Sequence, residues 1–454
     1  MSQSQPMPQA FDHALRVLKP LKPESYELFF SSSSSLKIEA KDAKVDSLTK
    51  AEDVGLSVRL MRDGKIGFSY TTSLEPSAIE KAVKSAWDIA PHMSVEPHAT
   101  LGEFSKQIPP MSERFDLEGL NTPTDKKIEQ ALFLEEQCRK QDPRITGIRS
   151  ANYSESQGES HLLNHLGQHL RTRSARFSGS ITCKAEQNGE AQMGGDFDFA
   201  SNFKDLDFKK IAERGAQDAL ELLGSGKADS LKCPTVIRNS VVAELLEFLA
   251  GSFSIEEMDK GRSIFKGKLN QPIFSKKIML VDDGRSPKGY SARPFDAEGI
   301  ATQKTVLVDQ GVLTHLLYDV QHAKKHKKFA TGNTVRGIKS APEISISNLI
   351  LEPSTGVQTD GTEVELARKI NKGVILTQLM GVHTANPITG AFSLGASGLW
   401  VENGKIVRPM SGFAVAGNVL DLFKNIESIG SDLRFFGSVA APSLLISEMA
   451  VSGS

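Results

Sequence analysis

Cysteine is nearly absent: the 454 residues hold three, Cys138, Cys183 and Cys233, far apart and without a C-x-x-C. That excludes a disulfide framework and a thiolate zinc site, and it suits a reducing compartment. Neither sign of charge is in excess. The 54 Lys and Arg against 55 Asp and Glu leave a formal net charge of -1, so there is no electrostatic footprint for nucleic acid or an anionic membrane. Apolar runs such as "GVILTQLMGV" fall short of the ~20 residues that a membrane helix needs. The start, "MSQSQPMPQAFDHALRV", lacks the basic end and apolar stretch of a secretory signal. A cytoplasmic protein is expected. Also missing are G-x-S-x-G, the phosphate-binding G-x-x-x-x-G-K-[ST], and a G-x-G-x-x-G that opens a helix after a strand.

What is present is a globular composition, 39% hydrophobic and 24% charged, on a chain long enough for two domains. Helical patterning is expected over 8–19, in "SLEPSAIEKAVKSAWDIA", over 125–140, over 207–223, in "SVVAELLEFLAGSF" and near 417–428. Strands fill 146–199 and much of the chain beyond 253. Asp63-Gly64, Asn188-Gly189 and Asn403-Gly404, with Asp309-Gln310-Gly311, are hairpin signals, because such turns need positive φ. The Ser31–Ser35 run is expected to be a polar loop or strand edge. Helices and strands come in blocks without regular alternation, which argues for an α+β class. The polar connection "GSGKADSLKCP" places the boundary, giving 1–228 as an antiparallel sheet with helices and 229–454 as a mostly antiparallel β domain.

Three groups of residues invite a chemical reading. His161, His165 and His169 would stack on one face of a helix, as zinc ligands do. However, "NHLGQ" places Asn and Gly inside that helix and the flanks are strand-like, so a hairpin turn with His161 and His169 on facing strands is expected. His322 and His326 have a metallopeptidase spacing, but Ala323 stands where the general base belongs and four lysines crowd the pair. A solvated basic helix surface is expected there. Asp282, Asp283, Asp296 and Glu298 lie among glycines and read as turn-forming acids before catalytic ones.

The stretches "FDAEGIATQKTVLVDQGVLTHLLYDVQHAKK", "ATGNTVR", "NPITGAFSLGASGLWVENGKIVRP" and "SGFAVAGNVLDLFKNI" resemble the TldD/PmbA family, once called modulators of DNA gyrase. "VGLSVRLMRDGKIGFSYTTSLEPSAIEKAVKSA" is similar to the family's first domain, so the resemblance covers nearly the whole chain. It implies a zinc metallopeptidase of two paralogous subunits that trims unfolded or small peptides. In the TldD type, H-E-x-x-x-H on a helix and a Cys near the C-terminus hold the zinc. The matching helix here is "VVAELLEFLAG", with Leu246 and Gly251 in the histidine positions and Glu247 in that of the general base. No histidine occurs between His169 and His315, and no cysteine follows Cys233.

The resemblance therefore implies the TldE/PmbA-type subunit. No zinc is expected on this chain, only in a TldD-like catalytic partner. That partner would form a heterodimer with it; alone, the chain would pair with itself. Peptide substrate, but neither nucleic acid nor membrane, is the expected ligand class. Asp296, Glu298, Asn333, Arg336 and Asn386, held by the family-like motifs, are the expected peptide-lining residues. The alternative is a non-enzymatic protein that binds gyrase or an antitoxin.

Overall fold

The computed structural model describes residues 8–453. Helix α1 (Gln9–Leu21) leads into a six-stranded sheet made of β1 (Ser25–Lys41), β2 (Lys44–Arg62), β3 (Lys65–Thr71), β4 (Ile145–Asn164), β5 (His169–Gln187) and β6 (Glu190–Ala200). Its order is β3-β2-β1-β4-β5-β6 and every pairing is antiparallel. Between β3 and β4 come α2 (Pro76–Ile89), α3 (Leu117–Leu120) and α4 (Thr124–Gln141), and α5 (Phe208–Leu220) closes this half.

Two separate cores carry helices onto the sheet. One joins α1 and α2 to β1 and β2 through Phe11, Leu18, Leu28, Leu56, Val58, Ile79 and Val83. The other joins α4 and α5 to β4 and β5 through Leu134, Tyr153, Phe177 and Ile211. The helices thus sit near opposite ends of the sheet and leave its middle bare. This explains Ser31–Ser35, which is neither a loop nor an edge. The run lies in mid-β1, paired to β2 on one side and β4 on the other, and its side chains reach solvent where no helix covers them.

The second half holds one large core and two six-stranded sheets. One sheet contains β7 (Leu231–Ile237), β14 (Lys372–Met380), β15 (Ala391–Glu402), β16 (Lys405–Asn418), β17 (Ile426–Ile429) and β20 (Leu444–Ser452). The other contains β8 (Ile278–Asp283), β9 (Lys304–Asp309), β10 (Val312–Leu313), β13 (Leu349–Pro353), β18 (Arg434–Phe436) and β19 (Val439–Ala441). A two-stranded ribbon, β11 (Thr334–Val335) with β12 (Glu343–Ile344), completes it. Pairing is antiparallel except for β7 with β14 and β13 with β19. Helix α6 (Asn239–Ala250) buries Val242, Leu245, Leu246 and Leu249 in the core. The architecture is α+β.

The turn chemistry is as the dipeptides require. Asp63 and Gly64 take φ of 53° and 67° between β2 and β3, and Asn403 and Gly404 take 50° and 72° between β15 and β16. Close approach explains another glycine. A Cβ on Gly194 of β6 would stand 2.1 Å from the backbone nitrogen of Ala219, so only glycine lets α5 lie this close to the sheet.

Candidate functional site

A cavity of about 780 Å³ opens where α5 and β6 face α6, β14 and β18. Its chemistry begins on α5. Arg214, Asp218 and Glu221 recur at helical spacing, so one polar stripe faces the cavity while Ile211, Ala212 and Ala219 face the core. Opposite stands Arg238, just before α6. Its guanidinium meets Glu221 at 2.5 and 3.0 Å, Glu363 at 2.8 and 3.0 Å, and Asp218 at 3.5 Å. Burial pulls the Arg238 pKa down, but the hydrogen bonds and charges of Glu221 and Glu363 outweigh it and raise it. Burial is also the leading cause that lifts Asp218 and Glu221 above the usual carboxylate range, against the pull of Arg238. Asp218 further accepts from Gly195 N at 3.1 Å, and Arg434 holds Asp196 at 2.9 Å. Glu244, one turn into α6, lines the same cavity, and burial followed by the nearby charge of Glu247 raises its pKa.

Does α6 fit a zinc ion? Zinc takes nitrogen, sulfur or carboxylate donors. Leu246 is fully buried in the core, Glu247 points outward to solvent and Gly251 has no side chain. Only one of the three positions carries a donor atom, and it faces away from the position of Leu246. Among the described residues, no group of three or more His, Cys, Asp or Glu side chains is arranged to hold a metal ion. The donor set of this helix does not fit zinc.

The histidine stretch is the expected hairpin. Leu163 pairs with His169 and His161 with Arg171 across the β4–β5 turn. His161 Nδ1 lies 2.9 Å from His169 Nε2, the two rings stack at 5.1 Å, and Glu159 takes the other nitrogen of His161 at 2.6 Å. The short helix Val320–His326 carries the lysine-rich pair, but its cations are paired as well as solvated. Lys325 and His326 meet Asp259, and Lys324 meets Glu103.

Four of the five expected lining residues come together, at the junction of the two halves. Arg336 meets Glu27 of β1 at 2.5 Å and lies 4.2 Å over the Phe29 ring, while Arg59 of β2 reaches both Glu27 at 3.5 Å and Glu298 at 3.9 Å. Burial raises the Glu27 pKa, but Arg336 and Arg59 together bring it below the usual value. Glu298 is pushed up to about 8 by burial, only partly offset by Arg59. Asp296 accepts from the backbone of Glu298, Ile300 and Thr334 at 2.9, 2.9 and 3.0 Å, as a turn-forming acid does. Asn333 donates to Asp282 at 2.5 Å. All four are interior groups of the junction. Asn386 lies apart and exposed, its side chain accepting from the backbone of Ile388 and Thr389 at 2.9 Å each. Sequence reasoning missed the Arg238 network, whose one signal was the polar spacing 214, 218, 221 along the amphipathic helix α5.

Models of three PmbA/TldA metallopeptidase domains match in chain order: domain 1 over residues 26–90, the central domain over 118–223 and the C-terminal domain over 230–453. The chain belongs to the PmbA/TldD family. It is 26% identical over 439 residues to the metalloprotease PmbA of Escherichia coli O157:H7, covering 95% of this chain and 93% of that protein. An uncharacterised protein of Methanocaldococcus jannaschii is 29% identical over 427 residues, covering 92% of this chain and 94% of that one. Among solved structures, TldE from Thermococcus kodakarensis superposes with a TM-score of 0.88 over 98% of this chain and all of that one, a likeness of fold at 21% identity.

Proposed function

We propose that this chain is the metal-free, TldE/PmbA-type subunit of a cytoplasmic TldD/TldE-type zinc metallopeptidase that acts on unfolded or small peptides. The observation that carries the reading is the donor set of α6: a family metallopeptidase helix with Leu246 and Gly251 in the ligand positions and Glu247 turned outward. Without a bound metal, Glu247 has no activated water to deprotonate. The chain instead completes the enclosure around a partner's zinc and helps hold the peptide.

A free strand edge supports the second role. β2 pairs with β1 from Lys44 onward but with β3 only from Leu56, so its other side is open and exposed before that point. An extended peptide joins such an edge through main-chain hydrogen bonds, which suits broad sequence tolerance. Arg336, Glu298, Asp296 and Asn333 serve that site by fixing the junction from which β1 and β2 project.

The test is metal content and peptidase activity of the chain purified without chelator or a metal-affinity tag. Less than about 0.1 zinc per chain, with activity only after an H-E-x-x-x-H partner is added, is the expected result. About one zinc per chain, or peptidase activity of the chain alone, would sink the reading.

A further inference from the structure

A second cavity, about 380 Å³, opens where residues 111–114, the paired ends of β4 and β5, and residues 291–294 meet. Five arginines line it, Arg114, Arg171, Arg173, Arg176 and Arg293, against one carboxylate, Glu113. On a chain of balanced charge, that segregation is local. Carboxylates answer two of the five. Arg173 meets Glu113 through two contacts of 2.8 Å, and Arg171 meets Glu159 at 2.7 Å.

The other three bond to neutral oxygens. Arg114 donates to Ser201 Oγ at 2.7 Å and to the Gly289 carbonyl. Arg176 donates to the Tyr290 carbonyl at 2.6 Å and lies 3.5 Å over its ring. Arg293 donates to the Thr334 carbonyl at 3.0 Å, while its Nε is buried without an acceptor. Asp282 and Asp296 act on the charge of Arg293 from a distance, but among the described residues neither Arg114 nor Arg176 forms an ion pair. Burial, and then the charge of Arg176, lower the Arg114 pKa, so these two cations already repel each other. Half-buried cations without a paired carboxylate are costly, and an anion that joins them offsets the cost.

Guanidinium forks match the oxygens of carboxylate and phosphate groups. The cavity has room for roughly a dozen waters, enough for such a group and part of what carries it. We propose that this cavity binds an oxyanion, a carboxylate or phosphate group, through Arg114, Arg176 and Arg293. The site stands on its own residues and survives failure of the peptidase-subunit reading.

The test titrates the full chain at low salt with inorganic phosphate, with acetyl-hexa-alanine as free acid, and with the same peptide as its amide. Calorimetry and the shift of thermal unfolding are the readouts, with chloride at matched ionic strength as the control. Saturable binding of phosphate or of the free acid, about one per chain and weaker in salt, is expected. Phosphate alone assigns a phosphoryl ligand; the free acid alone assigns a peptide C-terminus. Arg176→Gln should weaken binding at least tenfold. Ser174→Glu should abolish it without loss of thermal stability, because exposed Ser174 shares a strand face with Arg176 and the new carboxylate takes the anion's place. That second variant decides the matter if Arg176→Gln does not fold. No saturable binding of any probe, binding of the amide equal to that of the acid with no response to phosphate, or unchanged affinity in Ser174→Glu would overturn the proposal.

Discussion

Replacing Arg238 by methionine tests the physics of the large cleft. The change keeps most of the apolar stem but removes the cation shared by Glu221, Glu363 and Asp218. Arg238 is 15% exposed and Glu221 11%, so little solvent is at hand to replace the lost partner. Removing one member of a buried pair costs about 3 kcal/mol, because the orphaned carboxylates stay behind. The cost must depend on pH. Burial already raises the folded pKa values of Asp218 and Glu221, and losing Arg238 raises them further. A group whose folded pKa lies above its unfolded value favours folding below the unfolded value and loses that favour as pH rises through the folded one.

The variant should therefore be close to wild type near pH 5 and lose about 3 kcal/mol by pH 8, read as a shift in urea midpoint at each pH. Adding Glu221→Gln to Arg238→Met should return part of the loss at pH 8. A loss below about 0.5 kcal/mol at pH 8, typical of exposed pairs, or a loss equal at both pH values would refute the reasoning.

Glu298→Gln should grow more stable relative to wild type from about pH 4.3 up to the folded value of about 8. The gain, on the order of 5 kcal/mol, should then level off, and a flat difference across pH 4 to 9 would contradict it. Gly194→Ala must push α5 off β6, since its Cβ would meet Ala219 N at 2.1 Å. A loss of about 1–3 kcal/mol in denaturant unfolding is expected, whereas Gly64→Ala, with open space around it but φ of 67°, should lose only about 1 kcal/mol.

The sequence alone determined whatever depends on neighbours in the chain. Hairpin turns at Asp63-Gly64 and Asn403-Gly404 follow from which residues tolerate positive φ. The "NHLGQ" turn broke the helical register of three histidines for the same reason. Absence is local too: with no histidine between 169 and 315 and no cysteine after 233, the donors of the TldD-type motif are missing from their expected places in the chain. Tertiary structure decided the rest. Ser31–Ser35 reads as a polar loop or strand edge because burial, not pairing, drives apolar patterning, and only the placement of the helices revealed an uncovered strand. Asp296, Glu298, Asn333 and Arg336, expected as peptide-lining residues, lie in the interior, a placement that the sequence could not show because long-range partners such as Glu27 and Arg59, from 309 and 277 residues earlier than Arg336, carry no local signature. Charge is the clearest case. A chain with a net charge of -1 announces no electrostatic site, yet folding gathers five arginines with one carboxylate around one cavity and six carboxylates with three arginines around another, because residues far apart in sequence are brought within a few ångströms.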